Sequence, residues 1–143
     1  MALAALDHFL IRTENLRATK TFYVDILGLT EGRRPPFPFP GTWLYLGNVP
    51  CVHLIEITED VERATYLAEE ARSLSTESGT GAVDHIGFRG TGLAGFLKRF
   101  ETQNVNYRER SVQGLIQIFV EDPNGVTIEL SFDDSETESR TRS

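Results

Sequence analysis

Two short segments that repeat along the chain each carry a histidine, and imidazole is a common metal ligand in proteins. LDHFLIR (residues 6–12) and VDHIGFR (residues 83–89) share Asp, His and Arg at an offset of 77 positions. His8 and His85 therefore occupy equivalent places in an internal repeat.

A second pair of equivalent positions lies further along each half. The triplets Val-His-Leu around His53 and Ile-Glu-Leu around Glu129 are apolar runs with a polar centre. A carboxylate buried in such a strand needs a partner, and a cation supplies one. We therefore expect one divalent ion (Fe, Mn, Co, Ni or Zn) to be bound by four side chains: His8, His53, His85 and Glu129. In the alternative, the histidines are hydrogen-bonded in the core and Glu129 faces solvent.

The elements that must position these residues follow the same order in both halves. After the first strand, Asn15 can cap a helix that runs to about Leu27, and Gly28 ends it. After the second copy, a helix runs from Gly92 to about Asn104. Three strand-like runs then follow in each half. They are residues 29–34, 42–46 and 51–57 in the first half, and 107–112, 115–120 and 126–132 in the second.

Each half is therefore predicted to be a β-α-β-β-β module. A module of about 55 residues buries too little surface to be stable alone, so two copies must pack together, within one chain or exchanged between chains. We expect the modules at residues 1–57 and 82–132, joined by an acidic helical linker at 58–81. Residues 133–143 contain only charged residues, Ser and Thr, which is typical of a disordered tail.

Several of these segments together resemble one known family. LDHFLIRT with the helix TKTFYVDILGL, VDHIGFRG, and EDPNGVTIELSF are similar to the vicinal oxygen chelate superfamily over residues 5–132. That superfamily includes glyoxalase I, fosfomycin-resistance proteins, methylmalonyl-CoA epimerase, extradiol dioxygenases and bleomycin-binding proteins. The resemblance implies an α+β fold in which two paired βαβββ modules form an open, cupped, barrel-like sheet around a metal site. It also places the metal ligands at His8, His53, His85 and Glu129.

The resemblance implies a metal-dependent enzyme that chelates a small substrate through two vicinal oxygens. A glyoxalase-like lyase or isomerase would use Glu129 and His53 as its catalytic residues. Glyoxalase I has a His, Glu, His, Glu arrangement, from which His53 departs. An extradiol ring-cleaving dioxygenase would instead hold Fe(II) with His8, His85 and Glu129. A drug-binding or metabolite-binding resistance protein without turnover is the non-enzymatic alternative.

Candidate substrate-binding residues come from the strand faces and from one proline-rich loop. Arg12 and Arg89 are expected to share a face with the histidines, where they can bind an anion or form structural ion pairs. Phe37 and Phe39 lie on the stiff loop 33–41 and are candidates for a hydrophobic lid, with hairpin packing as the alternative. Four further side chains are expected to line either the pocket or the core: Trp43, Tyr45, Gln117 and Phe119.

Composition argues against two classes of protein, namely nucleic-acid-binding and membrane-spanning proteins. The 143 residues include 14 Lys and Arg against 21 Asp and Glu, a net charge of −7 that argues against nucleic-acid binding. No apolar run is long enough to cross a membrane, and the start of the chain does not resemble a signal peptide. The single cysteine, Cys51, suits a reducing cytoplasm. We expect a small-molecule substrate and a homodimer, since open sheet edges favour pairing with a partner.

Overall fold

Each half of the chain forms a mixed four-stranded sheet with a helix packed on it. The computed structural model describes residues 2–57 and 78–137. The chain divides into two units, residues 1–77 and 78–143. Among the described residues, no helix has both the length and the apolar character needed to span a bilayer.

The first unit has the strand order β1-β4-β3-β2. Strands β1 and β4 are parallel, and the other neighbours are antiparallel. Its elements are β1 (Phe9–Thr13), α1 (Leu16–Thr21), a π-helical turn (Phe22–Ile26), β2 (Thr30–Gly32), β3 (Gly41–Leu46) and β4 (Val49–Glu56).

The second unit repeats this topology with the order β5-β8-β7-β6, again with its first and last strands parallel. Its elements are β5 (Ile86–Arg89), α2 (Leu93–Thr102), β6 (Arg108–Val112), β7 (Leu115–Glu121) and β8 (Thr127–Asp133). The predicted α+β class and the β-α-β-β-β order of both modules are therefore confirmed.

The first helix differs from its predicted form in its last turn. Asn15 caps α1 as expected, because its side-chain oxygen accepts a hydrogen bond from the Ala18 amide at 2.9 Å. The chain then widens into a π-helical turn, in which the Leu27 amide bonds the Phe22 carbonyl five residues back. The turn buries both aromatic residues at its start, Phe22 and Tyr23. Gly28 follows at φ +90°, the left-handed conformation expected of a residue that ends a helix.

Burial alternates along strands β3, β7 and β8 and gives each sheet two different faces. In β7 the buried residues are Ile116, Ile118 and Val120, while Gln117 and Phe119 between them are partly exposed. Strand β8 shows the same alternation, and its buried Phe132 contacts Phe96 of α2, with ring centres 5.5 Å apart. One face therefore packs on the helix, and the opposite face is left for chemistry.

The segment Asp122-Pro123-Asn124-Gly125 forms a tight turn before β8. The buried Asp122 side chain accepts hydrogen bonds from the amides of Asn124 and Val126, at 2.7 and 2.9 Å. Gly125 has φ +78°, a conformation that L side chains rarely adopt. These bonds fix the point at which β8 begins, and so the register that places Glu129.

The second unit extends further in both directions than residues 82–132. At its start, the Gly79 amide bonds the Asn124 carbonyl, and the Thr80 hydroxyl accepts from the Thr127 amide. At its end, β8 continues to Asp133 rather than stopping at Phe132. Residues 58–77 of the predicted helical linker (58–81) and the last six residues of the tail lie outside the described residues.

A residue of the predicted tail caps the second helix. Gly92, the residue before α2, has no side chain that could bond the free amides of the first turn. The Glu136 carboxylate bonds the amides of Gly92 and Leu93 instead, at 2.8 and 2.9 Å. Its negative charge also interacts favourably with the helix dipole. The first residues of the predicted tail are thus part of the folded unit.

We expect Glu136→Ala to lower the free energy of unfolding by about 1 kcal/mol, the usual effect of losing a helix cap. Urea unfolding followed by circular dichroism measures this change. Asp134→Ala removes a nearby exposed carboxylate that bonds neither amide and is the matched control. Equal losses in the two variants would contradict the capping role.

Candidate functional site

The two sheets present equivalent rows of residues across their helix-free faces. Each row crosses all four strands of its sheet, and its ligand candidate lies on the strand β4 or β8. The row of the first sheet is Leu10, His53, Trp43 and Gly32. The row of the second sheet is Gly87, Glu129, Phe119 and Arg108. His53 and Glu129 therefore occupy matching positions, as the repeat predicts.

His8 and His85 each stand one residue before a strand rather than within it. Strand β1 begins at Phe9 and β5 begins at Ile86. Both histidines are outside the backbone ladder, and each side chain bonds the aspartate that precedes it. His8 Nδ1 lies 2.6 Å from Asp7 Oδ2, and His85 Nδ1 lies 2.7 Å from Asp84 Oδ2.

The second half-site (Asp84, His85 and Glu129) has a geometry suited to a cation. In the neutral imidazole, the Nδ1 hydrogen of His85 bonds Asp84, and the other ring nitrogen then carries the lone pair. That nitrogen, Nε2, lies 3.6 Å from Glu129 Oε2. Two donors bound at about 2.1 Å to one tetrahedral ion are about 3.4 Å apart, which is close to the separation of this pair.

Gly87 keeps space for the Glu129 carboxylate. A Cβ atom added at Gly87 would lie 3.1 Å from Glu129 Oε2, closer than ordinary van der Waals contact. The side chain of Glu129 is 13% exposed, so it is largely shielded from water yet still reachable. A carboxylate in this setting gains from a nearby cation or hydrogen-bond donor.

The first half-site (Asp7, His8 and His53) is a stack of aromatic rings. The His53 ring lies between two others, 3.9 Å from the His8 ring and 4.0 Å from Trp43, with interplanar angles of 12° and 9°. His53 Nε2 lies 2.8 Å from the Pro50 carbonyl oxygen, so it donates a hydrogen bond there and leaves Nδ1 as the acceptor. The imidazole is held in place from three sides.

The stack limits how the first half-site can bind a metal. The lone pairs of imidazole lie in the ring plane, so those of two parallel rings do not meet at one point. One ion therefore takes either His8 or His53 from this arrangement, unless a ring rotates. His8 has the same aspartate contact as His85, which makes it the better match to the second half-site. Within each unit, the described residues contain no group of three or more His, Cys, Asp or Glu placed to hold a metal.

Burial sets the charge state of His53. The residue is 8% exposed. Burial lowers the pKa of its imidazole below the ordinary value, and the nearby His8 and Arg34 lower it further, against the opposing effects of Pro50 and Asp7. His53 is therefore neutral at pH 7, which is the form that either accepts a proton or binds a metal.

A mainly aromatic cavity of about 340 Å³ adjoins the first half-site. The predicted pocket residues Phe37, Phe39 and Trp43 all line it. The two phenylalanine rings are stacked 5.4 Å apart, and the Arg34 guanidinium carbon is 5.1 Å from the centre of each. Tyr45 is not among the lining residues; its hydroxyl donates to the Arg33 carbonyl. The loop is thus ordered by an arginine that the sequence analysis had not selected.

A more polar cavity of about 520 Å³ adjoins the second half-site. Phe119 lines it as predicted, and its ring meets the His85 ring edge-on at 5.8 Å. Gln117 bonds Arg110, one of two arginines in this cavity that the sequence analysis missed. The alternating Arg108-Glu109-Arg110 of an edge strand was a signal that could have found them.

Two other candidates lie away from these two cavities. Arg12 is half-buried and Arg89 is exposed, and neither lines the aromatic or the polar cavity.

The chain has been compared with known families and solved structures. The family model described as the Glyoxalase/Bleomycin resistance protein/Dioxygenase superfamily matches residues 5–130. Among solved structures, a glyoxalase family protein from Bacillus anthracis is 17% identical, with TM-score 0.70 over 94% of this chain and 98% of that one. Lactoylglutathione lyase from Agrobacterium tumefaciens is 17% identical, with TM-score 0.63 and coverages of 92% and 96%.

An antibiotic-binding protein from Streptomyces sp. CB03234 is 14% identical, with TM-score 0.64 over 94% of this chain and 99% of that one. At these identities the structural matches show the fold alone. The comparison with curated proteins finds no match.

We expect the metal-free protein to lose stability as the pH falls from about 7 to 5, in part through His53. The unfolded imidazole takes up a proton near pH 6.5, whereas the folded one, with its lowered pKa, resists it. The unfolded state then binds more protons than the folded state, so the free energy of unfolding decreases as the pH is lowered. Urea unfolding at pH 7, 6 and 5 measures the slope.

His53→Gln is the comparison, since it removes this titration and leaves His8 and His85 in place. The slope in His53→Gln should be smaller than in the wild type. Identical slopes would show that His53 is not shielded from protonation in the folded state.

Proposed function

Because the chain belongs to the Glyoxalase/Bleomycin resistance protein/Dioxygenase superfamily, we propose that it is a metal-dependent enzyme acting on a small substrate with two vicinal oxygens. The reaction we propose is a glyoxalase-like lyase or isomerase reaction. One observation carries this proposal: in the second half-site, Nε2 of His85 lies 3.6 Å from a carboxylate oxygen of Glu129, while Nδ1 of the same ring contacts Asp84.

The proposed ligand set is His8, His85 and Glu129, holding one divalent ion of the Fe, Mn, Co, Ni or Zn group. His8 and His85 have the same aspartate contact, which leaves Nε2 of each as the donor. His53 is either a fourth ligand through Nδ1 or a neutral base beside the ion. We also propose that the protein forms a homodimer.

Bound at these residues, the ion would polarise two substrate oxygens and stabilise negative charge that develops on them. The residues of the chain then supply the proton transfer. Glu129 carries the carboxylate that accepts a proton from the carbon next to a substrate carbonyl and returns it to the neighbouring carbon. Neutral His53 is a second group able to accept a proton at this site. The rings of Phe37, Phe39 and Trp43 give the adjoining cavity an apolar wall.

A ring-cleaving dioxygenase is a second candidate, favoured by the stack around His53. If the Pro50 bond and the two neighbouring rings keep His53 away from the ion, two histidines and one carboxylate remain. That ligand set is typical of non-haem Fe(II) oxygenases. Catechol-type substrates suit this alternative.

Binding without turnover is a third candidate, favoured by the aromatic cavity. Its stacked rings suit a flat apolar ligand. The antibiotic-binding protein from Streptomyces shares the fold. Such a function requires no metal, so the metal measurement separates it from both enzyme candidates.

We expect about one ion per chain when the purified protein is incubated with Fe(II), Mn(II), Co(II), Ni(II) or Zn(II) and analysed by mass spectrometry. Glu129→Gln and His85→Ala should each weaken metal binding at least tenfold, because each removes a donor atom. Glu101→Gln, the same chemical change at an exposed position of α2, should leave it unchanged.

The outcomes separate the candidates. Retained iron with unchanged affinity in His53→Ala supports the dioxygenase, and we would assay catechols. Loss of the ion in His53→Ala supports the four-ligand set, and we would assay α-hydroxythioester substrates. No bound metal under any condition overturns the enzyme proposal.

We expect Asp84→Asn to weaken metal binding about 10- to 100-fold without removing a ligand, as is typical when the partner of a ligating histidine is lost. An amide oxygen is a weaker acceptor than a carboxylate and no longer fixes the His85 tautomer as firmly. Isothermal titration with Zn(II) measures the change. Asp134→Asn is the matched control, and a value for Asp84→Asn equal to the control would show that the aspartate contact is incidental.

A further inference from the structure

Two arginines on the edge strand of the second sheet converge over one aromatic ring. Strand β6 is the edge of this sheet, and Arg108 and Arg110 are two residues apart, so they share a face. Their guanidinium carbons lie 5.2 and 5.8 Å from the centre of the Phe119 ring. The ring holds both cations on the face that carries Glu129.

Neither guanidinium is neutralised by a carboxylate within the described part of the chain. The contact of Arg110 is a hydrogen bond from its Nε to the neutral Gln117 side chain, at 2.9 Å. The contact of Arg108 is the Phe119 ring. No ion pair to either arginine is present among residues 2–57 and 78–137. Asp84 and Glu109 also line this cavity, but neither forms an ion pair with Arg108 or Arg110 within the described ranges.

The cavity beside these arginines also contains His85. Phe119 contacts the arginines and meets the His85 ring edge-on, so a single side chain joins the two groups. Arg108, Phe119 and Glu129 are paired across three neighbouring strands. Strands lie about 4.8 Å apart, so the backbones of Arg108 and Glu129 are separated by roughly 10 Å. One small molecule can span that distance.

We propose that Arg108 and Arg110 bind an oxyanion, namely a carboxylate or phosphate group of the substrate. Guanidinium groups bind such groups through paired, charge-assisted hydrogen bonds, and Arg110 retains its terminal nitrogens for this purpose. The substrate is then an anionic molecule whose charged end lies over β6 and whose reacting end lies at Glu129. That placement rests on the proposed function, whereas oxyanion binding by the metal-free protein does not.

The test is to titrate the metal-free protein with inorganic phosphate and, separately, with sodium acetate at constant ionic strength. Nuclear magnetic resonance of the arginine Nε–H groups follows the binding. We expect saturable shifts at Arg108 and Arg110. The double variant R108Q/R110Q should bind at least about tenfold more weakly, because charge-assisted hydrogen bonds are lost. A preference for phosphate or for acetate identifies which oxyanion the substrate carries.

The control R17Q/K98Q removes two positive charges from exposed positions elsewhere and should bind both anions as the wild type does. An equal loss in the control, or no saturable binding by the wild type, overturns the proposal. Zinc affinity of R108Q/R110Q reports on the metal site separately, and we expect it to stay within about threefold of the wild type. A protein that binds phosphate but no metal would retain this inference and lose the proposed function.

Discussion

Alternation along the central strands β4 and β8 is the constraint on which the rest of the structure depends. Val52 and Leu54 are fully buried on one side of β4, and Ile128 and Leu130 are buried in the same way on β8. His53 and Glu129 stand between these pairs and must point to the opposite face. A shift of one residue would expose the core and turn His53 and Glu129 toward the helix, so the packing of the core also fixes where the chemistry lies.

The two halves use this shared constraint differently. In the second unit the central carboxylate lies beside a glycine and an oriented histidine, an arrangement with room for an ion. In the first unit the central imidazole is enclosed by two rings and a carbonyl. An apolar environment of this kind disfavours the charged form of the imidazole and favours stacking with flat aromatic groups. The duplication thus produced one polar and one aromatic surface from the same β-α-β-β-β plan.

The sequence predicts the β-α-β-β-β order well because that order depends on short-range sequence patterns. Alternating apolar residues, the Asn15 cap and the turn before β8 each act over a few positions, and all three are found in the structure. The equivalence of His53 and Glu129 follows from the repeat alone. The tail residue Glu136 was missed because it bonds an amide 44 positions away, which no local pattern records.

The side-chain contacts of the site were harder to predict because they depend on side-chain rotation and on the register between strands. The hydrogen bonds between each histidine and its preceding aspartate depend on side-chain rotation rather than on spacing. The convergence of Arg108 and Arg110 depends on the register between β6 and β7. In that register Phe119 is the partner of Arg108, and its ring also contacts His85. The stack around His53 requires Trp43 to be its partner across two antiparallel strands.

Gly87 limits which side chains the second sheet can carry beside Glu129. Its counterpart in the first sheet is Leu10, which pairs with His53 as Gly87 pairs with Glu129. A methyl group at Gly87 would lie 3.1 Å from the carboxylate, so a larger residue there would require the Glu129 side chain to shift. A redesign that moved the carboxylate to the first sheet would therefore shorten Leu10 as well.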